Sequence, residues 1–188
     1  MKKLFAAVIM SVGLFAGAAS AEPLSVGGYK LTPYVEAKGG EGFQTQKGYD
    51  NQGLYGVAVG VDGGIVAAEL EAIDAGSGKT SRAGNVDTRV LGANVYVKPY
   101  TFNGFTPYAV GGLGYGWFSG SGVRSTASNS DSIVYNVGLG SLYSITPNWS
   151  LDVSYRYAIS DKENVKKTSG RYTNYTSNEL VTGVRYNF

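Results

Sequence analysis

The sequence has no cysteine and no histidine among its 188 residues. Without cysteine there is no disulfide framework, no thiol nucleophile and no attachment point for a lipoprotein anchor. Without histidine the commonest general base is missing. Beyond residue 21 there is also no apolar run of the ~20 residues that a membrane-spanning helix needs. Nor is there a strong excess of charge: 16 Lys and Arg stand against 14 Asp and Glu, and two of the basic residues are Lys2 and Lys3. The sequence pI near 8.6 is therefore no argument for nucleic acid as a partner.

What is present starts at the amino end. Lys2 and Lys3 precede an apolar run from Leu4 to about Gly17, and Ala19-Ser20-Ala21 supplies small residues before Glu22. This pattern predicts a cleaved secretory signal over residues 1–21, because the run is too short for a spanning anchor. Loss of those 21 residues leaves 167, enough for one domain over residues 22–188. That domain carries 14 basic and 14 acidic side chains once Lys2 and Lys3 are gone. It is rich in glycine (28 in the chain) and tyrosine (15), which fits closely packed strands with aromatics at a membrane interface.

The far end of the chain alternates with a period of two. Leu180, Thr182, Val184, Tyr186 and Phe188 share one face, and Glu179, Gly183, Arg185 and Asn187 share the other, with Val181 the one apolar residue on the polar side. Such a strand has one apolar and one polar face. A membrane barrel uses both, apolar toward lipid and polar toward the interior.

Seven earlier segments show the same period: about Lys30 to Gly40, Gly53 to Val61, Ile65 to Ile73, Thr88 to Lys98, Thr106 to Phe118, Ser132 to Tyr143 and Trp149 to Ile159. The last is the clearest, with Trp149, Leu151, Val153, Tyr155, Tyr157 and Ile159 alternating against Ser150, Asp152, Ser154, Arg156 and Ala158. In Thr106 to Phe118 glycine dilutes both faces and the orientation stays open. Short connections at Asp62-Gly63-Gly64, Pro99 to Phe105 and Ile145 to Asn148 alternate with long polar loops at about 41–52, 74–86, 119–131 and 160–177. Asp and Gly tolerate the positive φ of tight hairpins.

Eight strands of nine to thirteen residues, with short turns at one end and long loops at the other, predict an all-β, eight-stranded antiparallel up-and-down transmembrane barrel. Backbone groups in lipid must all be paired, so the barrel has to close. The short turns are expected on the periplasmic side and the long loops outside. Trp149, Tyr143 and Phe188 are expected in the periplasmic girdle, Tyr157 and Trp117 in the outer one.

A family resemblance follows from particular stretches. Pro107-Tyr108-Ala109-Val110-Gly111-Gly112-Leu113-Gly114-Tyr115-Gly116 resembles the glycine-rich fifth strand of the OmpA-like and opacity-protein barrels, and residues 146–157, from Thr146 to Tyr157, are similar to their turn and seventh strand. The ending Gly183-Val184-Arg185-Tyr186-Asn187-Phe188 resembles the signal that outer-membrane proteins present to the barrel assembly machinery, carried by Gly183, Tyr186 and Phe188. The family pattern has a polar residue where this chain has Val181. The resemblance implies a bacterial outer-membrane location. It also implies outer-membrane lipid, lipopolysaccharide and the assembly machinery as partners. The peptidoglycan-binding domain that larger OmpA proteins carry is not present in this sequence.

An eight-stranded barrel is about wide enough inside for side chains to fill. Glu36, Lys38, Glu69, Glu71, Asp152, Arg156, Glu179 and Arg185 all have inward parity. Buried charges must be paired, so an interior ionic network plugging the lumen is expected. The alternative is a narrow ion path through shifting pairs.

No catalytic residue, cofactor site or metal site is assigned. Barrel deacylases and palmitoyl transferases of similar size rely on a histidine, which this chain lacks. Glu69 and Glu71 could form an acid pair, but an ion-paired interior face explains them more simply. Gly78-Lys79-Thr80 ends like a phosphate loop, yet position 73, where its first glycine belongs, is Ile. The long loops carry Lys79, Arg82, Arg124, Lys162, Lys166, Lys167 and Arg171, interspersed with Glu41, Asp50, Asp74, Asp131, Asp161 and Glu163. The cations could hold lipopolysaccharide phosphates or a surface ligand by charge-assisted bonds; ordinary solvated loop surface is the simpler account. The expected role is envelope integrity and surface interaction, including adhesion, without catalysis. A narrow channel or carrier for small molecules is the alternative. A soluble lipocalin-like barrel, the third possibility, would need an apolar interior and a polar exterior.

Overall fold

The computed structural model describes residues 24–26, 29–44, 51–80, 84–121, 130–160 and 175–188. They form nine strands: β1 (Leu24–Val26), β2 (Tyr29–Gln44), β3 (Gln52–Asp62), β4 (Val66–Thr80), β5 (Gly84–Val97), β6 (Phe105–Ser121), β7 (Ser130–Ser144), β8 (Trp149–Ser160) and β9 (Tyr175–Asn187). Every strand pairs antiparallel with the next, and β2 also pairs with β9 from Tyr34↔Asn187 to Gln44↔Ser177. That pairing closes β2–β9 into an eight-stranded up-and-down barrel without open edges through the membrane. The three-residue β1 adds a short ribbon against Tyr29–Leu31 at the periplasmic end.

Hydrophobicity is inverted relative to a soluble domain. Leu139 (70 % exposed), Leu70, Leu113 and Val137 stand outward, whereas Glu36, Lys38, Glu69, Asp152, Arg156 and Arg185 are buried. In β8 burial alternates at almost every residue, with Trp149, Leu151, Val153, Tyr155 and Tyr157 out and Ser150, Asp152, Ser154, Arg156 and Ala158 in. An apolar interior with a polar exterior is therefore excluded. The open orientation of β6 resolves with Tyr108 and Val110 inward and Leu113 and Tyr115 outward.

The short turns follow their chemistry. Gly64 takes φ +88° and donates its N–H to Asp62 Oδ1 at 2.8 Å, while Asn103 and Gly104 take φ +48° and +82° in the second connection. Aromatic pairs gather at the same end: Phe105 with Tyr143, and Tyr186 between Trp149 and Phe188, with centroids 4.6 to 5.1 Å apart. At the outer end Tyr115 and Trp117 meet edge to face at 5.0 Å.

The strands run further outward than the alternation suggests. Residues 74–80 and 84–86, expected as loop, belong to β4 and β5, which pair up to Thr80↔Gly84 with a register shift between Ala75 and Gly78. Likewise 41–44, 119–121, 130–131 and 175–177 are strand. Above the hydrocarbon layer the outward face no longer needs apolar residues, so the period disappears while the hydrogen-bond ladder continues. The expected signal segment 1–21 lies outside the described residues.

Candidate functional site

The barrel wall places its chemistry inside. On β2, Glu36 and Lys38 point inward two residues apart; on β4, Glu69 and Glu71 do the same. Lys38 Nζ bridges them, bonded to Glu69, to Glu71 Oε2 at 2.9 Å and to the Tyr96 hydroxyl at 3.3 Å. From β8, Arg156 NH1 reaches Glu71 Oε2 at 3.0 Å and Oε1 at 3.2 Å, and its NH2 donates to Tyr96 at 3.1 Å. Strands β4 and β8 lie halfway round the closed barrel from each other, so the Arg156–Glu71 pair spans the lumen.

A second group sits nearer the periplasmic mouth. Arg185 on β9 donates from Nε to Glu36 Oε2 at 2.9 Å, lies 3.8 Å from Glu69 and 4.0 Å from both Asp62 and Asp152, and stacks on the Tyr34 ring at 3.9 Å. Lys98 pairs with Asp62 below it. Tyrosine hydroxyls fill in as donors: Tyr34 to Glu69 Oε2 at 3.1 Å, Tyr96 to Glu69 Oε1 at 2.7 Å and Tyr108 to Asp152. A carboxylate offers about four acceptor positions, and Glu69, receiving Lys38, Tyr34, Tyr96 and Asn94, uses them most fully.

Space for these side chains comes from glycine on the neighbouring, hydrogen-bonded strand. A Cβ on Gly60 would lie 2.3 Å from the Tyr34 ring, on Gly140 2.4 Å from the Tyr108 ring, on Gly183 2.3 Å from Glu36 Oε1 and on Gly112 2.0 Å from Asn94 Oδ1. Gly111, by contrast, faces outward, with nothing closer than 4.0 Å.

Seven of the eight charged residues with inward parity are thus in contact with an opposite charge. The eighth, Glu179, stands on the inner wall higher up, paired in register with Arg156 but outside the ion-paired cluster. Asp62, Lys98 and the hydroxyls of Tyr34, Tyr96 and Tyr108 also belong to the cluster, beyond the eight charged residues expected inside. Parity places Tyr34 and Tyr96 inside, but tyrosine is equally at home in the girdles. Among the loop cations, Arg82, Arg124, Lys162, Lys166, Lys167 and Arg171 lie outside the described residues, and of Lys79 only the backbone is described, paired with Asn85. Among the described residues no group of three acidic, His or Cys side chains is arranged to hold a metal.

A closed barrel with an apolar belt, an ionic lumen and short turns at one end is a membrane barrel of the bacterial outer-membrane type. The outer membrane protein beta-barrel domain family matches residues 5–188. The chain belongs to that family, and its place is the bacterial outer membrane.

Solved structures share the fold. Neisserial surface protein A superposes with a TM-score of 0.65 at 22% identity, covering 84% of this chain and 97% of that one. Ail, the attachment invasion locus protein of Yersinia pestis, in complex with the heparin analogue sucrose octasulfate, gives 0.54 at 12% identity, covering 84% and 97%. The outer membrane enzyme PagL gives 0.53 at 14% identity, covering 80% and 97%, so the fold alone does not decide activity. Among curated proteins none matches this sequence.

Proposed function

We propose that this protein is a closed structural barrel of the outer membrane that stiffens the envelope and makes surface contacts through its outer loops, without catalysis. The observation that carries the reading is the ionic cluster across the lumen, in which Lys38, Arg156 and Arg185 join β2, β4, β8 and β9. Each of these cations is held by carboxylates on other strands, so a water-filled path would require several buried pairs to break together. In planar bilayers the refolded protein is expected to give no steady conductance, and proteoliposomes no sugar-dependent swelling. A stable open level or swelling would overturn the plug and favour the channel reading.

On this reading Gly183, Tyr186 and Phe188 are what the assembly machinery recognises, and the loop cations meet anionic groups of lipopolysaccharide or a surface ligand. That Ail, with the same fold, takes a sulfated sugar analogue supports anion contacts as a use for such loops. Retention of the refolded protein on immobilised lipopolysaccharide or heparin is expected to fall when Lys162, Lys166, Lys167 and Arg171 are together changed to Gln. Unchanged retention would remove those residues from the role.

A further inference from the structure

Above the ionic cluster the lumen contains a small chamber of about 40 Å³, room for roughly three water-sized occupants. Its wall is mostly apolar, through Leu54, Ala75 and Val134, but four oxygen-bearing side chains enter it: Gln52, Thr88, Ser177 and Glu179. Three belong to one corner. Glu179 on β9 pairs with Gly42 on β2, and Gly42 with Gln52 on β3. Because Gly42 has no side chain, the wall is indented there; a Cβ on it would stand 3.2 Å from Ser177 Oγ. Thr88 comes from β5, away from that corner. It is 4 % exposed, and its Oγ1 has no hydrogen-bond partner among the described residues. An unpaired buried hydroxyl is destabilising, so a polar occupant of the chamber would relieve it.

Charge says which kind of occupant. The inward-facing carboxylates among the described residues are Glu36, Asp62, Glu69, Glu71, Asp152 and Glu179, against the cations Lys38, Lys98, Arg156 and Arg185. Arg156, the cation nearest to Glu179 in register, gives NH1 to Glu71 and NH2 to Tyr96; its Nε makes no hydrogen bond among the described residues, and the side chain forms no ion pair with Glu179. Glu179 has no ion pair within 4.0 Å among the described residues.

We propose that this chamber binds one partly dehydrated monovalent cation, sodium or potassium, between Glu179 and Thr88, with Ser177 and Gln52 completing an all-oxygen set. Hard cations take carboxylate, hydroxyl and amide oxygens. One carboxylate balances one charge, and the chamber is too small for an ion that keeps its full hydration shell. A divalent ion, which prefers several carboxylates, has only Glu179 here.

The test uses the full refolded barrel in zwitterionic detergent at fixed ionic strength, with sodium or potassium chloride exchanged for N-methylglucamine chloride. A bound ion raises the unfolding midpoint with the logarithm of its concentration, so a higher midpoint in the alkali salt is expected. Glu179→Gln should abolish that difference and Thr88→Val reduce it, both variants keeping heat-modifiable migration on gels. Crystals soaked in rubidium should show anomalous scattering between Glu179 and Thr88. Equal wild-type midpoints in the two salts, as would follow if a proton neutralised Glu179 instead, would overturn the proposal. So would an alkali-specific shift that survives Glu179→Gln, or rubidium absent from the chamber.

Discussion

The two tiers of the lumen solve the same packing problem by opposite means. The lower tier, from Tyr34 and Arg185 up to Glu71 and Arg156, is filled by large charged and tyrosine side chains lying over glycines on the neighbouring strands. The upper tier is lined by smaller groups, Leu54, Ala75, Thr88, Ser177 and Val181, and leaves a chamber. What differs is connectivity. In the lower tier Lys38, Glu69, Glu71 and Arg156 bond across the lumen between β2, β4, β5 and β8, so these side chains act as a cross-brace; in the upper tier the apolar cluster of Leu54, Ala75 and Val181 stays on one side of the barrel, on β3, β4 and β9. On the proposed reading, closure of the barrel to solutes would reside below, and adaptability above.

The sharpest way to break this contrast is to remove the hub. Lys38→Met leaves Glu69 and Glu71 facing each other without their shared cation. Losing one partner of a buried pair costs about 3–5 kcal/mol, so urea unfolding of the variant in lipid vesicles should show a loss of that size. A loss below about 1 kcal/mol would mean that water already reaches the cluster, and the plug would not hold.

Next comes the glycine spacing. Gly140→Val puts a side chain where the Tyr108 ring lies, 2.4 Å from the new Cβ, and overpacking of this kind costs about 1–3 kcal/mol. Gly111→Ala, the outward control with nothing within 4 Å except Asn136 O at 4.0 Å, should stay within about 0.5 kcal/mol. Equal effects at both positions would show that glycine matters here for the strand itself rather than for the space it leaves. Tyr108→Phe is expected to cost slightly less than Gly140→Val, about 1–2 kcal/mol, because it keeps the ring over Gly140 and loses only the bond to Asp152.

How much of this was legible in the sequence depended on where each residue sits relative to the lipid. From Trp149 to Tyr157 every second residue touches hydrocarbon, so the period is complete and the faces can be read directly. In β6 glycine has no hydropathy to display, and Tyr108 inward and Tyr115 outward look alike as letters. The tops of β4 and β5 lie beyond the apolar layer, where nothing enforces alternation; the Asp74–Arg89 ion pair at 3.0 Å marks the transition on the outer surface. Parity also gives the side of the wall but not the height. It therefore groups Glu179 with Glu71 although they belong to different tiers, and it gives no sign that Asp62, which the sequence assigns to a turn and the structure to the end of β3, meets Lys98.

Val181 tests the upper tier most finely. It is the apolar residue on an otherwise polar face, at a position where the family resemblance leads one to expect a polar side chain, and it is buried against Leu54 and Ala75. If the upper tier is as accommodating as its chamber suggests, Val181→Thr will change stability by less than about 1 kcal/mol, because the new hydroxyl can turn toward the polar groups of the tier and recover most of a hydrogen bond. A dry, rigid tier would instead impose the ~1–3 kcal/mol penalty of an unpaired buried hydroxyl. Unfolding of Val181→Thr in vesicles, compared with Tyr108→Phe under identical conditions, separates the two. A larger loss at Val181 than at Tyr108 would reverse the assignment of rigid and adaptable tiers. The contrast would then have to be explained by hydration rather than by connectivity.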